Sequence, residues 1–166
     1  MLMTDNDLMQ LSGKIGQQLH RLQATITTAE SCTGGWMAKV LTDIAGSSCW
    51  FERGFVTYSN HAKQEMTGVT PDSLARYGAV SEPVVREMAE GARLAAGADF
   101  AISVSGIAGP DGGSDEKPVG TVWFGFAAVN QETFAQRQVF SGDRESVRRQ
   151  ATAWGLLTLY THFLKN

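Results

Sequence analysis

The residues best suited to chemistry lie between Glu30 and Gly35, where the sequence reads Glu-Ser-Cys-Thr-Gly-Gly. A β-branched run at 24–28, ATITT, predicts a strand before this stretch, and apolar residues at helical spacing follow it. A strand that turns directly into a helix leaves backbone N–H groups unpaired, and the helix dipole adds partial positive charge there. A nucleophile in this turn, Ser31 or Cys32, would therefore lie beside donors that stabilise a developing oxyanion.

Such a nucleophile needs a base, and the sequence offers two kinds. None of the three histidines stands in a polar loop, which disfavours a Ser-His-Asp triad without excluding it. Lys63 follows Tyr58 closely, and if Tyr58 ends a strand then Lys63 can point back from the next helix. A lysine base must be neutral, which requires desolvation or nearby positive charge. From this hexapeptide alone, a solvated surface lysine is the simpler interpretation.

The turn residues also have structural interpretations. Ser31 and Thr33 are common helix caps, and Cys32 suits a small buried position better than that of a nucleophile. Neither interpretation is excluded by the sequence.

A second glycine-rich stretch, Ser-Gly-Ile-Ala-Gly-Pro-Asp-Gly-Gly at 105–113, predicts a loop with many accessible N–H groups. Phosphate or carboxylate would fit such a loop, although it is neither a Walker A motif nor a dinucleotide fingerprint. A merely flexible loop is the alternative. Four basic residues could add phosphate contacts or could simply be solvated; they are Lys117, Arg144, Arg148 and Arg149.

Composition limits the class of protein. The chain has 166 residues, 43% of them hydrophobic, and a net charge of −3, which predicts one globular domain over 1–166 and no nucleic-acid-binding surface. No apolar run is long enough for a membrane span. The N-terminus lacks the basic segment with which a secretory signal begins, which argues against such a signal. Two cysteines and no cluster with metal-ligand spacing predict a reduced, cytoplasmic protein that binds no metal.

Periodicity predicts alternating strands and helices, and hence an α/β fold with helices layered on a sheet. Helix patterns occupy 8–22, 34–44, a short stretch after Ser59 or Asn60, 71–78, a long stretch from 81, and the end of the chain after Asp143. Strand patterns occupy 24–29, 50–58, 100–104, 119–129 and 133–140. The last two form an expected antiparallel hairpin, so the sheet should be mixed.

Five motifs in order resemble the CinA C-terminal domain family over about residues 6–164. They are AESCTGG at 29–35, GFVTYSNHAK at 54–63, GAVS at 78–81, SGIAGPDGG at 105–113 and KPVGTVWFG at 117–125. Similarity to the stand-alone bacterial members implies a single-domain, three-layer α/β/α sandwich. It also implies hydrolysis of the carboxamide of nicotinamide mononucleotide to nicotinate mononucleotide and ammonia, without a cofactor.

The resemblance implies a catalytic set of Ser31, Lys63 and Tyr58, and a homo-oligomer, dimer or higher. The oxyanion would be held by N–H groups around Cys32 to Gly34, and the phosphate by the 105–113 loop. The expected substrate contacts are Glu30, Cys32, Thr33, Gly34, Gly35, Asn60, Ser105, Gly106, Ala108, Gly109, Gly112 and Gly113. A pyridine-nucleotide-binding module without turnover, and hydrolysis of a different amide, are the alternatives.

Overall fold

A five-stranded mixed sheet with the order β2-β1-β3-β4-β5 forms the centre of the molecule in the computed structural model, which describes residues 2–165. The strands are β1 (Ile26–Glu30), β2 (Phe55–Val56), β3 (Phe100–Gly106), β4 (Thr121–Ala128) and β5 (Phe134–Val139). β1 runs parallel to both β2 and β3, whereas β4 is antiparallel to both β3 and β5. Glu30 pairs with Val56 on one side and with Val104 on the other, so the carboxyl ends of three strands meet at one edge.

Six helices cover the two faces of this sheet. They are α1 (Asp5–Leu22), α2 (Trp36–Thr42), α3 (Asn60–Thr67), α4 (Pro71–Tyr77), α5 (Glu82–Ala96) and α6 (Arg144–Leu159). α1, α2 and α6 pack together over one face, and α3 and α4 pack on α5 over the other. A 3₁₀ turn at Ser47–Cys49 follows α2, and a π-type turn at Tyr160–Leu164 extends α6. The predicted three-layer α/β/α fold with a mixed sheet is confirmed.

Local capping chemistry explains where several helices begin. The Ser59 hydroxyl accepts from the Ala62 N–H at the start of α3, and the Asp143 carboxylate accepts from the Ser146 N–H at the start of α6. Pro71 occupies the first turn of α4, where its missing N–H costs nothing. These starts agree with the sequence patterns because caps and prolines act within one turn.

The boundaries differ from the prediction where tertiary contacts decide them. The expected strand at 50–58 is reduced to β2 and a bridge at Phe51, because the Arg53 carbonyl accepts from the Thr27 hydroxyl instead of joining the ladder. The helix predicted from 34 begins at Trp36, since the two preceding glycines have φ of 60° and 102°. β3 extends to Gly106, two residues into the predicted loop, by pairing with Val122.

Candidate active site

The turn after β1 presents two unpaired backbone donors next to the Ser31 hydroxyl. The Ser31 N–H donates to the Val104 carbonyl at 3.0 Å, and the Gly34 N–H donates to the Ser31 carbonyl at 3.0 Å. Within residues 2–165, the N–H groups of Cys32 and Thr33 donate to no backbone carbonyl and to no side chain of another residue. They are therefore free to donate to an oxyanion formed beside Ser31.

Glu30 fixes this turn from inside the protein, and its role as a substrate contact stays a prediction. Its fully buried carboxylate accepts from the Thr33 hydroxyl at 2.6 Å and from the N–H groups of Met37 and Ala38, each at 2.9 Å. Its charge lies on the dipole at the start of α2, and these bonds keep its oxygens away from the cavity. The Thr33 hydroxyl is occupied in the same network.

Lys63 reaches the serine from the neighbouring segment. Its Nζ lies 3.0 Å from Ser31 Oγ and donates to the Thr57 carbonyl at 2.8 Å and the Tyr58 carbonyl at 3.5 Å. Only 1% of the Lys63 surface is exposed. The interpretation as a solvated surface lysine is wrong, because α3 turns this residue inward over the end of β1.

Burial sets the protonation of both Lys63 and Cys32. Desolvation lowers the pKa of the Lys63 ammonium below its ordinary 10.5, opposed by the negative form of Cys32. Desolvation raises the pKa of the Cys32 thiol to about 12, which keeps that thiol protonated at neutral pH. The turn thus pairs a hydroxyl with an amine shifted toward its neutral form, and leaves the thiol unreactive.

A cavity of about 270 Å³ opens over this pair. Eight of the predicted site residues line it, namely Ser31, Cys32, Tyr58, Asn60, Lys63, Ser105, Gly106 and Ala108. No histidine from the described part of the chain lines it, which removes the geometric basis for a Ser-His-Asp triad. His61, the histidine nearest in sequence to Lys63, instead pairs with Glu65 on an exposed face of α3.

Several of the predicted substrate contacts lie outside the cavity. Thr33, Gly34 and Gly35 border a shallower cleft on the other side of the turn. Gly112 and Gly113 are exposed. The second half of the loop packs against the residues that lead into β4, since a Cβ on Gly113 would lie 2.7 Å from the Val119 nitrogen.

Gly109 is buried beside the cavity without lining it. Its carbonyl accepts from Arg144 Nη1 at 2.9 Å. Gly109 is therefore bonded to Arg144, which lines the cavity, but does not line the cavity itself.

Three lining residues lie outside the expected set of substrate contacts: Ala79, Val80 and Arg144, the last of which was considered only as one of four basic residues for phosphate. Arg144 Nη2 donates to the Tyr58 hydroxyl at 3.0 Å, so the first residue of α6 joins Tyr58 to the loop. Of the four basic residues considered for phosphate, Arg144 alone lines the cavity. Ala79 and Val80 belong to the GAVS motif, which was the available signal for them.

Lys117 connects the glycine-rich loop to the segment that carries Ala79 and Val80. Its Nζ donates to the Tyr77 carbonyl at 2.8 Å. The chain that follows the loop is thereby held to the end of α4, two residues before Ala79.

Two further kinds of site are absent from the described residues. Within 2–165, no three His, Cys, Asp or Glu side chains converge as metal ligands. In the same span, no helix combines the length and apolar character needed to cross a membrane.

Comparisons with known proteins agree with the fold and the motifs. The family model of the CinA C-terminal domain matches residues 8–163. Nicotinamide-nucleotide amidohydrolase PncC from Escherichia coli K12 is 68% identical over 164 residues, which is 99% of either chain. The protein of that name from Pseudomonas putida is 51% identical over 91% of this chain and 96% of its own.

Solved structures extend the agreement to three dimensions. The competence/damage inducible protein CihA from Agrobacterium tumefaciens superposes with a TM-score of 0.91 at 40% identity, covering 97% of each chain. The competence damage-inducible protein A from Klebsiella pneumoniae superposes with a TM-score of 0.89 at 40% identity, covering 94% of this chain and 98% of its own. The motifs, the family match and the shared architecture lead to one conclusion: this chain belongs to the CinA C-terminal domain family.

Proposed function

We propose that the protein is an amidohydrolase that converts nicotinamide mononucleotide and water to nicotinate mononucleotide and ammonia. The observation that carries this proposal is the buried pair of Ser31 and Lys63, with 3.0 Å between Oγ and Nζ, at the base of a cavity. The relatives that are 51% to 68% identical bear the name nicotinamide-nucleotide amidohydrolase, which supports the choice of substrate.

The first half of the reaction acylates Ser31. Neutral Lys63 takes the hydroxyl proton as Oγ bonds to the carboxamide carbon, and the carbonyl oxygen becomes an oxyanion. The free N–H groups of Cys32 and Thr33 then donate to that oxygen. Collapse of the tetrahedral intermediate breaks the C–N bond, and the proton held by Lys63 passes to the departing nitrogen, so that ammonia leaves.

The second half regenerates the serine. Water loses a proton to Lys63 and attacks the acyl carbon through its oxygen, and the ester bond to Oγ breaks. Oγ recovers the proton, and the nicotinate product leaves as a carboxylate. The same amine serves as base and acid in both halves, which requires a pKa low enough for the neutral form to be available.

Tyr58 and Arg144 are polar residues of the cavity lining that contact each other. In the proposed complex Arg144 binds the 5′-phosphate together with backbone groups of the loop from Ser105 to Ala108. The Tyr58 hydroxyl accepts a hydrogen bond from Arg144. In the proposed mechanism it orients Lys63 or relays a proton toward the leaving nitrogen. Location in the cytoplasm and assembly into a homo-oligomer stay predictions from the sequence.

The test is an ammonia assay with nicotinamide mononucleotide and purified protein. Ser31→Ala should lose ammonia release while keeping the far-UV circular dichroism spectrum and melting temperature, because the hydroxyl supplies the bond-forming atom. Ser48→Ala, a matched change at an exposed serine, should keep the wild-type rate. Cys32→Ala should still release ammonia, since the thiol is held protonated.

Two outcomes would reject the proposal. Normal ammonia release by Ser31→Ala would exclude a serine nucleophile. Tight binding of the nucleotide by the wild-type protein with no ammonia formed would favour a binding module without turnover.

A further inference from the structure

Arg148 contacts the turn from the side that faces away from the cavity. It lies one helical turn after Arg144 on α6, and its Nε donates to the Cys32 carbonyl at 3.0 Å. Its Nη2 donates to the Thr33 carbonyl at 3.4 Å, and its guanidinium carbon lies 5.8 Å from the centre of the Trp36 ring. Arg148 borders the shallow cleft and not the cavity, so the nucleotide proposed above would not touch it.

The peptide plane between Cys32 and Thr33 carries the effect of this contact across the turn. In a trans peptide the C=O and N–H bonds lie in one plane and point in opposite directions. A guanidinium that holds the Cys32 carbonyl therefore also fixes the direction of the Thr33 N–H, which has no acceptor in the described chain. The neighbouring peptide is fixed likewise, because the Gly34 N–H holds the Ser31 carbonyl and the free Cys32 N–H lies at its other edge.

The guanidinium also polarises the peptide that it binds. A charged donor on a carbonyl strengthens the N–H on the other side of the amide as a donor, because hydrogen bonds in a chain polarise one another. An uncharged donor on the same carbonyl would fix the direction with less polarisation. Arg148 supplies both effects through one contact.

Gly34 makes this approach feasible. Its φ is 60°, and a Cβ at this position would lie 3.2 Å from Arg148 Nη2. Any larger residue would crowd the guanidinium and strain the backbone in the left-handed region. The missing side chain of the first glycine of the pair therefore leaves room for the arginine.

From these contacts we infer that Arg148 is a positioning residue, which aligns and polarises the oxyanion-binding N–H of Thr33 through the Cys32–Thr33 peptide. The inference rests on the proposed function, because it concerns the acyl-transfer step at Ser31. Its effect belongs to the transition state, where the oxyanion forms, and not to nucleotide binding.

The first experiment compares three variants in the ammonia assay. Removing an oxyanion donor outright costs about 10²–10³ in kcat, and a donor left misaligned loses part of that. Arg148→Met should therefore lower kcat by about tenfold or more with KM unchanged. Arg148→Lys, which keeps the charge but not the planar fork, should fall between Arg148→Met and the wild type.

Arg149→Met is the matched control. Arg149 also lies on α6 and packs on Trp36, with its guanidinium carbon 4.9 Å from the ring centre, and it pairs with Asp5 and Glu145. It donates to no carbonyl of the turn and lies outside the cavity. Arg149→Met should keep wild-type kcat and KM even though it loses ion pairs and aromatic packing.

The pH profile separates positioning from general damage to the site. The ionisation that limits kcat/KM at low pH belongs to Lys63 in the proposed mechanism, so it should stay at the same pH in Arg148→Met. A rise in KM with normal kcat would mean that Arg148 contacts the nucleotide instead. Wild-type kcat in Arg148→Met, or an equal loss in Arg149→Met, would overturn the inference.

A second reaction keeps this test independent of the proposed substrate. With 4-nitrophenyl acetate, Ser31 loses its proton to Lys63, Oγ bonds to the acetyl carbon through an oxyanion, and 4-nitrophenolate leaves with the electron pair. A burst of 4-nitrophenolate that is lost in Ser31→Ala and reduced about tenfold in Arg148→Met would support the inference even without ammonia release from nicotinamide mononucleotide. A burst unchanged in Arg148→Met would overturn it, and a wild-type protein inert in both reactions would overturn both proposals.

Discussion

Lys63 illustrates how one side chain takes its chemistry from its surroundings. In sequence it resembles many solvated lysines, yet it is buried with its amine 3.0 Å from Ser31 Oγ. No carboxylate within residues 2–165 forms a salt bridge with it, so no acidic partner counters the desolvation that lowers its pKa. Glu30, the nearest acid in the chain to Ser31, is instead committed to α2.

A rate that depends on neutral Lys63 should rise with pH. Below the lowered pKa the amine is protonated and cannot take the serine proton, so kcat/KM should increase through one ionisation that lies below 10.5, the ordinary lysine value. The measurement is ammonia release over the neutral and alkaline range, with Lys39→Met as the control because Lys39 is an exposed residue of α2. A profile that is flat, or that falls as pH rises, would contradict a lysine base.

At the scale of the element, the position of α3 decides whether the amine meets the hydroxyl. α3 packs against α5 at Gly91, where a Cβ would lie 1.6 Å from the Thr67 carbonyl oxygen. Thr67 is one turn after Lys63 and its hydroxyl donates to the Lys63 carbonyl at 2.7 Å. The missing side chain at Gly91 therefore sets how closely the segment that carries Lys63 approaches α5.

Gly91→Ala should separate these two helices and lower both stability and turnover. A methyl group cannot fit against a backbone oxygen, so α3 must shift, and overpacking of this kind costs about 1–3 kcal/mol. A displacement near 1 Å between reacting groups can cost about 10²-fold in rate, so kcat should fall more than KM changes. Urea unfolding and the ammonia assay measure the two effects.

Gly13→Ala provides the comparison for a glycine in a helix without such a contact. A Cβ there would meet only Ile44 Cδ1 at 3.9 Å, an ordinary packing distance. The change should stabilise the protein by about 0.5–1 kcal/mol through helix propensity and leave the rate unaltered. Equal behaviour of the two variants would show that the approach of α3 to α5 does not control the site.

For the molecule as a whole, sequence patterns predicted the layers of the fold and the turn that carries Ser31. Periodicity and caps act over a few residues, so the mixed sheet, the six helices and the turn at Ser31 could be read directly. Local patterns offered Lys63 only as one candidate base and did not place Arg148 at the turn, because these residues lie 32 and 116 residues away in the chain. Whether Glu30 faces a ligand or a helix, and how the loop after Gly109 folds, depend on packing that no local pattern encodes.

Burial of Lys63 should also shape the stability of the whole fold. In the unfolded chain Lys63 titrates near the ordinary value of 10.5, and in the folded protein its pKa is lowered. Between these two values the unfolded state binds one proton more than the folded state, so the free energy of unfolding rises with pH. Above the pKa of Lys63 in the unfolded chain, neither state binds the proton, and the free energy of unfolding stops rising with pH. Below the pKa of Lys63 in the folded protein, both states are protonated, and the destabilisation caused by burying the ammonium is constant and at its maximum.

The difference in unfolding free energy between wild type and Lys63→Met should therefore shift in favour of the wild type as pH rises through this window, by at most about 1.4 kcal/mol per pH unit. Urea unfolding at a series of pH values measures it, and other titrating groups cancel in the difference. Lys39→Met should not reproduce the rise, because the hydrogen bond to Asp43 raises the pKa of Lys39, which gives the opposite sign. Parallel curves for wild type and Lys63→Met would mean that Lys63 keeps an ordinary pKa in the fold, and the proposed mechanism would then lack its neutral base.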